Sequence, residues 1–153
     1  MLSERLWSNR NQITSLLDTD SRKISKILFD RQYDDIYTDP GSPVLTKNKL
    51  GKNVVEIKKN SLYMISRGGS PEGYRPYLSL FNIKTLDNKI LFRSEAPFYE
   101  NPVKLSGNNL ITSKESVTDN PNYFIRDLST GKSRHCLLYT SDAADDAGCV
   151  GVG

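Results

Sequence analysis

The side chains best suited to covalent or metal chemistry are crowded at one end of this chain. Its only histidine, His135, and both cysteines, Cys136 and Cys149, fall within the last nineteen of 153 positions. From Met1 to Arg134 there is neither Cys nor His. That stretch therefore offers no thiolate nucleophile, no Cys or His metal ligand and no imidazole base. A Ser-His-Asp triad cannot be assembled within it. His135, Cys136 and Cys149 could supply three metal ligands, or the two cysteines a disulfide loop. Their spacing matches no zinc pattern, and a foreign tail, argued below, is the favoured reading.

Three further groups invite a functional reading. Gly68-Gly-Ser-Pro-Glu-Gly73, flanked by Arg67 and Arg75, could form a backbone nest for an anion. No Gly-Lys-Ser/Thr follows, so it is not a phosphate-binding Walker loop. A connection between strands, with glycines making the turns, is the favoured reading. Asp34, Asp35 and Asp39 form an acidic cluster, but the alternating ligands, central Gly and distal Glu of a calcium loop are missing. A solvated connection fits it better. Tyr74, Tyr77, Phe98, Tyr99, Tyr123 and Phe124 interleave with Arg67, Arg75 and Arg93 and could form an aromatic-basic surface. Aromatics alternating along strands more often pack between sheets.

These residues need elements to hold them, and the pattern is one of strands. Ser15–Phe29 and Ser79–Phe92 each read as strand, polar turn, strand, with Asp87-Asn88 in the second turn. Phe124–Lys132 begins a third hairpin, with Gly131 as turn residue. Short apolar strands, Ser61–Ser66 and Asn109–Ser113, precede the second and third hairpins. Polar loops, Arg67–Arg75 and Lys114–Asn120, follow them and end at Pro76 and Pro121, where a ladder donor is removed. Val54–Ile57 and Val103–Leu105 are expected as innermost strands. Glu4–Leu17 supports a helix poorly, because Asn9, Asn11 and Thr14 interrupt it, so strands are expected from Gln12 onward. Arg31–Pro43 reads as a loop broken by Pro40, Gly41 and Pro43. The offset of roughly 45 residues between repeats is the length of a four-stranded propeller blade.

The expected fold is therefore all-β, an incomplete β-propeller of about two to three blades of antiparallel strands with an irregular C-terminal tail. A blade buries its faces only against its neighbours, so three partial blades cannot close a ring. The chain reads as a piece of a larger protein.

Composition sets outer limits. With 37% hydrophobic and 25% charged residues the chain is ordinary for a folded domain. No run approaches the ~18 apolar residues of a spanning helix. Lys and Arg number 21 against 18 Asp and Glu. Setting aside Asp142, Asp145 and Asp146 in the tail leaves 21 against 15, or +6, with the signs interspersed. That predicts neither a nucleic-acid nor a membrane partner.

Residues 135–153 differ from the body. The Asn, Lys, Arg and Tyr of residues 1–134 give way to Ala, Gly, Asp and Cys. Cys136-Leu-Leu-Tyr-Thr-Ser141 is what TGT CTC TTA TAC ACA TCT encodes, and Asp-Ala-Ala-Asp-Asp follows from GAC GCT GCC GAC GA. Both resemble adapter sequence from a sequencing library. The expected boundaries are a partial propeller over 1–134 and a non-native tail over 135–153, with Gln a candidate for the natural residue at 135.

Several ordered motifs resemble the N-terminal propeller of the prolyl oligopeptidase family of serine peptidases, and most closely its glutamyl endopeptidase-like branch. They are Asp39-Pro-Gly-Ser-Pro43, Gly69-Ser-Pro-Glu-Gly-Tyr-Arg-Pro-Tyr-Leu78, Arg93-Ser-Glu-Ala-Pro-Phe-Tyr-Glu100 and Leu110-Ile-Thr-Ser-Lys-Glu-Ser116. Asn120-Pro-Asn-Tyr-Phe124 and Arg126-Asp-Leu128 continue them. The resemblance implies a propeller that gates a separate C-terminal α/β-hydrolase domain acting on peptides through Ser, Asp and His. Gly-x-Ser-x-Gly, the nucleophile elbow of that domain, does not occur in this chain.

The resemblance therefore implies no catalytic residue, cofactor or metal site here, and a chain inactive by itself. Its partners would be peptide substrates through the intact enzyme, and the missing hydrolase domain. Arg67 and Arg75 are the candidates to face the cavity and attract acidic peptide side chains. A stand-alone propeller binding a peptide or glycan is the alternative. The true N-terminus is expected upstream, so no compartment is legible.

Overall fold

A computed structural model describes residues 1–18 and 20–136, and every regular element in them is a β-strand. Strands β1 (Leu2–Leu6), β2 (Asn11–Asp18) and β3 (Lys23–Gln32) form a first antiparallel sheet in the order β1-β2-β3. Next come β4 (Ser42–Pro43), β5 (Leu45–Lys47), β6 (Asn53–Val55) and β7 (Ser61–Ser66). They are followed by β8 (Gly69–Ser70), β9 (Gly73–Tyr74), β10 (Tyr77–Asn82) and β11 (Asn88–Arg93). Of these, β4, β7, β10 and β11 make the second sheet, ordered β11-β10-β7-β4, while β5-β6 and β8-β9 are separate two-stranded hairpins. The third sheet is β12 (Tyr99–Ser106), β13 (Asn109–Glu115), β14 (Asn122–Asp127) and β15 (Ser133–His135), in chain order.

The middle sheet is apolar on both faces because each face meets another sheet. Leu62 and Met64 of β7 and Phe81 of β10 turn toward Leu28 of β3, with Leu16, Phe29, Val55 and Ile83 around them. Tyr63 and Ile65, alternating with Leu62 and Met64 along β7, turn the other way. There they join Leu78, Phe92 and Leu110, the last from the third sheet. Register fixes this division: Leu62 opposes Phe81, and Ile65 opposes Leu78. A one-residue slip would exchange the two faces. Among the described residues the outer sheets have no second cover, and Leu6, Leu17, Ile24, Ile27 and Val103 are exposed.

One turn design joins the last two strands of the first and third sheets and the β10–β11 pair. Asp18, Asn82 and Asp127 each end a strand and accept backbone amides from the turn. Asp18 Oδ1 takes the Asp20 N–H at 3.0 Å, Asn82 Oδ1 that of Lys84 at 2.8 Å, and Asp127 Oδ1 that of Ser129 at 2.8 Å. Four residues after each, the backbone is left-handed: φ is 54° at Arg22, 65° at Leu86 and 72° at Gly131. Side-chain capping of this kind is what Asp and Asn offer a turn.

All three expected hairpins form, and Val103–Leu105 lies in β12, the first strand of its sheet. Val54–Ile57 does not take the corresponding place in the second sheet. Val54 and Val55 pair with Thr46 and Leu45 in a separate hairpin, and β4 pairs with β7 instead. Pro43 is tolerated there because β4 is an edge strand and needs no donor on its outer side. Gly41, at φ 82°, lets the chain lie directly against Ile65, where any Cβ would clash with backbone. The loop expected over 31–43 is thus shorter: β3 runs to Gln32 and β4 begins at Ser42.

Two other expectations are corrected. Strand structure begins at Leu2, before Gln12, because β1 pairs with β2. In the second hairpin the left-handed residue is Leu86, while Asn88 already belongs to β11 opposite Phe81.

Candidate functional site

Arg67 and Arg75 stand at the two ends of the segment between β7 and β10, where β8 and β9 pair Gly69 with Tyr74 and Ser70 with Gly73. The glycines are required by contact as well as by turn. Gly68 has φ 62° and a Cβ there would strike the Arg75 carbonyl, while one on Gly69 would strike the Ile36 carbonyl. Arg75 N–H donates to Gly68 O at 2.7 Å and closes the base of the hairpin. The segment is a built hairpin, in place of the plain loop the sequence suggested.

The two arginines differ in what they have left to offer. Arg75 Nη2 lies 3.5 Å from Glu72 Oε2, and its side chain is only 20% exposed. Arg67 is exposed, lies over the Tyr74 ring at 5.3 Å and has no carboxylate partner among the described residues. It remains available to an anion.

Among the described residues no catalytic constellation forms around this hairpin. Ser70 Oγ donates to Gly73 O at 2.7 Å, so its proton serves the turn. His135, opposite Phe124 in β15, packs its ring 4.3 Å from that of Phe124. The pairing continues one residue further, with Cys136 N–H donating to Tyr123 O at 2.7 Å. Cys149, and with it the disulfide and three-ligand metal arrangements, lies outside the described residues.

The acidic cluster is occupied by protein partners. Asp34 pairs with Arg10 at 2.8 Å and Asp39 with Arg31 at 2.8 Å. Asp35 accepts the Tyr37 amide at 2.9 Å and the Thr38 hydroxyl at 2.9 Å, and these hydrogen bonds hold its carboxyl below the usual range. Ser66 Oγ donates to Asp39 O at 2.8 Å, which ties the connection to β7. The result is a fixed link between the first and second sheets.

The aromatic and basic residues divide in the same way. Phe92 packs in the core, Arg93 covers Tyr77 at 5.9 Å, and Lys114 lies 3.8 Å from the Phe98 ring centre. Tyr74, Tyr99 and Tyr123 stay exposed.

A buried polar network escaped the sequence reading. Glu100, on β12, is 6% exposed and accepts from Arg126 Nη2 at 3.2 Å on both carboxylate oxygens. Thr112 donates to the same carboxylate at 2.7 Å, and the Glu100 N–H donates to Ser94 Oγ at 2.8 Å. Arg126 also lies over the Phe92 ring and donates to Gly131 O. Glu100 and Arg126 are 26 positions apart, so only strand register could have brought them together. Their arrangement fixes the third sheet against the loop after β11. It borders a cleft of about 460 Å³ with Phe98 and Lys114.

Comparison with known proteins gives the lineage. No family model matches the chain, and no solved structure matches it. It is 31% identical over 144 residues to a probable glutamyl endopeptidase, chloroplastic, of Oryza sativa subsp. japonica. It is 30% identical over 145 residues to the protein of that name in Arabidopsis thaliana. Each alignment takes in 82% of this chain and spans only 15% of the relative. The chain is therefore homologous to a short stretch of proteins named glutamyl endopeptidase, which is the branch its motifs resemble.

Proposed function

We propose that residues 1–134 are consecutive blades from the propeller of a serine-type peptidase, with no activity of their own. In the whole enzyme this part restricts access to a separate α/β-hydrolase domain that cleaves peptides. The observation that carries the reading is the stack of sheets. Each sheet is too small to bury itself, the middle one is apolar on both faces, and the same Asx-capped turn recurs at Asn82 and Asp127, 45 positions apart. The homology to a short stretch of glutamyl endopeptidases supports a peptidase origin.

Within this reading Arg67 is the residue that meets acidic peptide side chains. It is exposed, held over Tyr74 on the β8-β9 hairpin, and without a carboxylate partner among the described residues. Arg75 holds that hairpin's base and pairs with Glu72, so its part is to position Arg67. Residues 135–153 are proposed to be foreign to the natural protein.

The test uses the 153-residue chain beside the product of the complete gene. The complete product is expected to hydrolyse a Glu-containing reporter peptide and to react with a serine-directed fluorophosphonate. The chain alone is expected to do neither. Labelling of the chain by the fluorophosphonate, or turnover by it, overturns the reading. In the complete product, Arg67→Glu is expected to lower kcat/KM for acidic peptides about tenfold, as for loss of a charge-assisted contact. Unchanged turnover removes Arg67 from the site.

A further inference from the structure

The surplus positive charge of the body is not spread over its surface. The hairpin β5-β6 and its return to β7, residues 45–60, hold Lys47, Lys49, Lys52, Lys58 and Lys59 against one acid, Glu56. That is +4 of the +6 carried by residues 1–134. All five lysines are exposed, and among the described residues only Lys58 has a carboxylate partner, Glu56 at 3.0 Å.

The hairpin is closed at its tip by hydrogen bonds and projects its most exposed apolar side chain. Asn48 Oδ1 accepts the amides of Leu50 at 2.9 Å and Lys52 at 3.0 Å. Asn48 N–H donates to Lys52 O, and Gly51 N–H to Asn48 O, both at 2.9 Å, with Gly51 at φ 73°. This closed turn holds Leu50 outward at 80% exposure, between Lys49 and Lys52. Leu45, Val54 and Ile57 lie exposed behind it. The base is anchored where Ile83 N–H donates to Asn60 O at 2.8 Å.

We propose that this hairpin docks the protein on an anionic lipid surface. Leu50 enters the boundary between headgroups and acyl chains, and Lys47, Lys49, Lys52 and Lys59 sit among the phosphates. Apolar burial and attraction to anionic lipid together set the strength of such binding. The side chains favour lipid over nucleic acid, because the hairpin has no arginine or aromatic to fork onto phosphates or stack on bases. On the whole-chain balance the sequence predicted no membrane partner; the local excess over residues 45–60 gains its meaning once the hairpin sets Leu50 at its tip. The proposal stands independently of the peptidase reading.

The test is flotation of the full chain with vesicles in a density gradient, which leaves self-associated protein behind. Vesicles of phosphatidylcholine with phosphatidylglycerol are expected to carry the protein at low salt, and pure phosphatidylcholine vesicles to leave it. Each Lys→Gln is expected to weaken binding about fivefold, so Lys49→Gln with Lys52→Gln weakens it roughly 25-fold. Leu50→Ser is expected to weaken it about tenfold. Lys104→Gln, exposed on β12 of the third sheet, is expected to float like the parent chain. All these side chains are exposed, and far-UV circular dichroism verifies that each variant folds. Failure to float with anionic vesicles overturns the proposal. So does tight binding to a single-stranded oligonucleotide that Leu50→Ser leaves unchanged, which would make nucleic acid the partner.

Discussion

Glu100 offers the sharpest test of how the third sheet is held. Replacing it with Leu removes the only carboxylate that meets Arg126 among the described residues and the acceptor of the Thr112 hydroxyl, in a site where Thr112 is fully buried. Stranding a buried charge costs ~3–5 kcal/mol. The Arg126 side chain keeps 23% of its exposure and can reach water, which lowers its share to about 2 kcal/mol. An orphaned buried hydroxyl adds about 1 kcal/mol. Glu100→Leu is therefore expected to cost about 3 kcal/mol. Glu100→Leu with Arg126→Met is expected to cost less than the single change, because no charge is left unpaired. Amide exchange over residues 99–127, read by mass spectrometry, reports the local loss even in a chain that self-associates. A double variant whose loss equals the sum of the two single losses would refute the reasoning, because it means the two side chains do not act as a pair.

Four further outcomes follow from the turns and the open sheets. Gly131→Ala is expected to destabilise the third hairpin by ~0.5–1 kcal/mol, since a Cβ there meets nothing within 4 Å and only the left-handed backbone resists it. Leu86→Gly is expected to be neutral or stabilising in urea unfolding, and a loss above about 1 kcal/mol would contradict the turn assignment. Hydrogen bonds from Ser129 and Thr130 hold the Asp127 carboxyl below its usual range, and those from Ser21 and Asp20 do the same for Asp18. A depressed folded pKa gives stability that is full above the unfolded value of ~3.9 and is lost as pH falls through the lower folded one. Protection of the Thr130 amide is therefore expected to hold at pH 5 and fall toward pH 2, and constant protection would argue against the caps. Residues 1–134 alone are expected to self-associate through sheet edges and the exposed Leu17, Ile24 and Ile27. A monodisperse monomer with a sharp cooperative melt would contradict an open stack.

Short apolar runs made β7 and β13 legible, and in β7 burial on both faces writes Leu, Tyr, Met and Ile into consecutive positions. Turn chemistry placed the hairpins but not their left-handed residues, since Leu86 has no local preference for that backbone and is held by the closing strands. Strand β1 was missed because all five of its residues are exposed and its pairing comes from β2. The innermost place in the second sheet was misread because Val54-Val55 has high β propensity and Ser42-Pro43 does not. Close approach at Gly41, a tertiary matter, decided for the latter. At the candidate site the free and paired states of Arg67 and Arg75 depended on where Glu72 folds, which spacing alone does not give. The lysine run over residues 45–60 stands in the sequence, but the whole-chain charge balance passes over it, and only the fold shows that it shares one projection with an exposed Leu50.

The most direct measurement is the uninterrupted coding sequence on both sides of residues 1–134, together with the activity of its product. Further sheet-forming repeats are predicted, followed by Gly-x-Ser-x-Gly and its Asp and His partners, in a polypeptide several times longer than this one. A gene that ends after Gly153, giving a product that cleaves peptides unaided, would contradict the account.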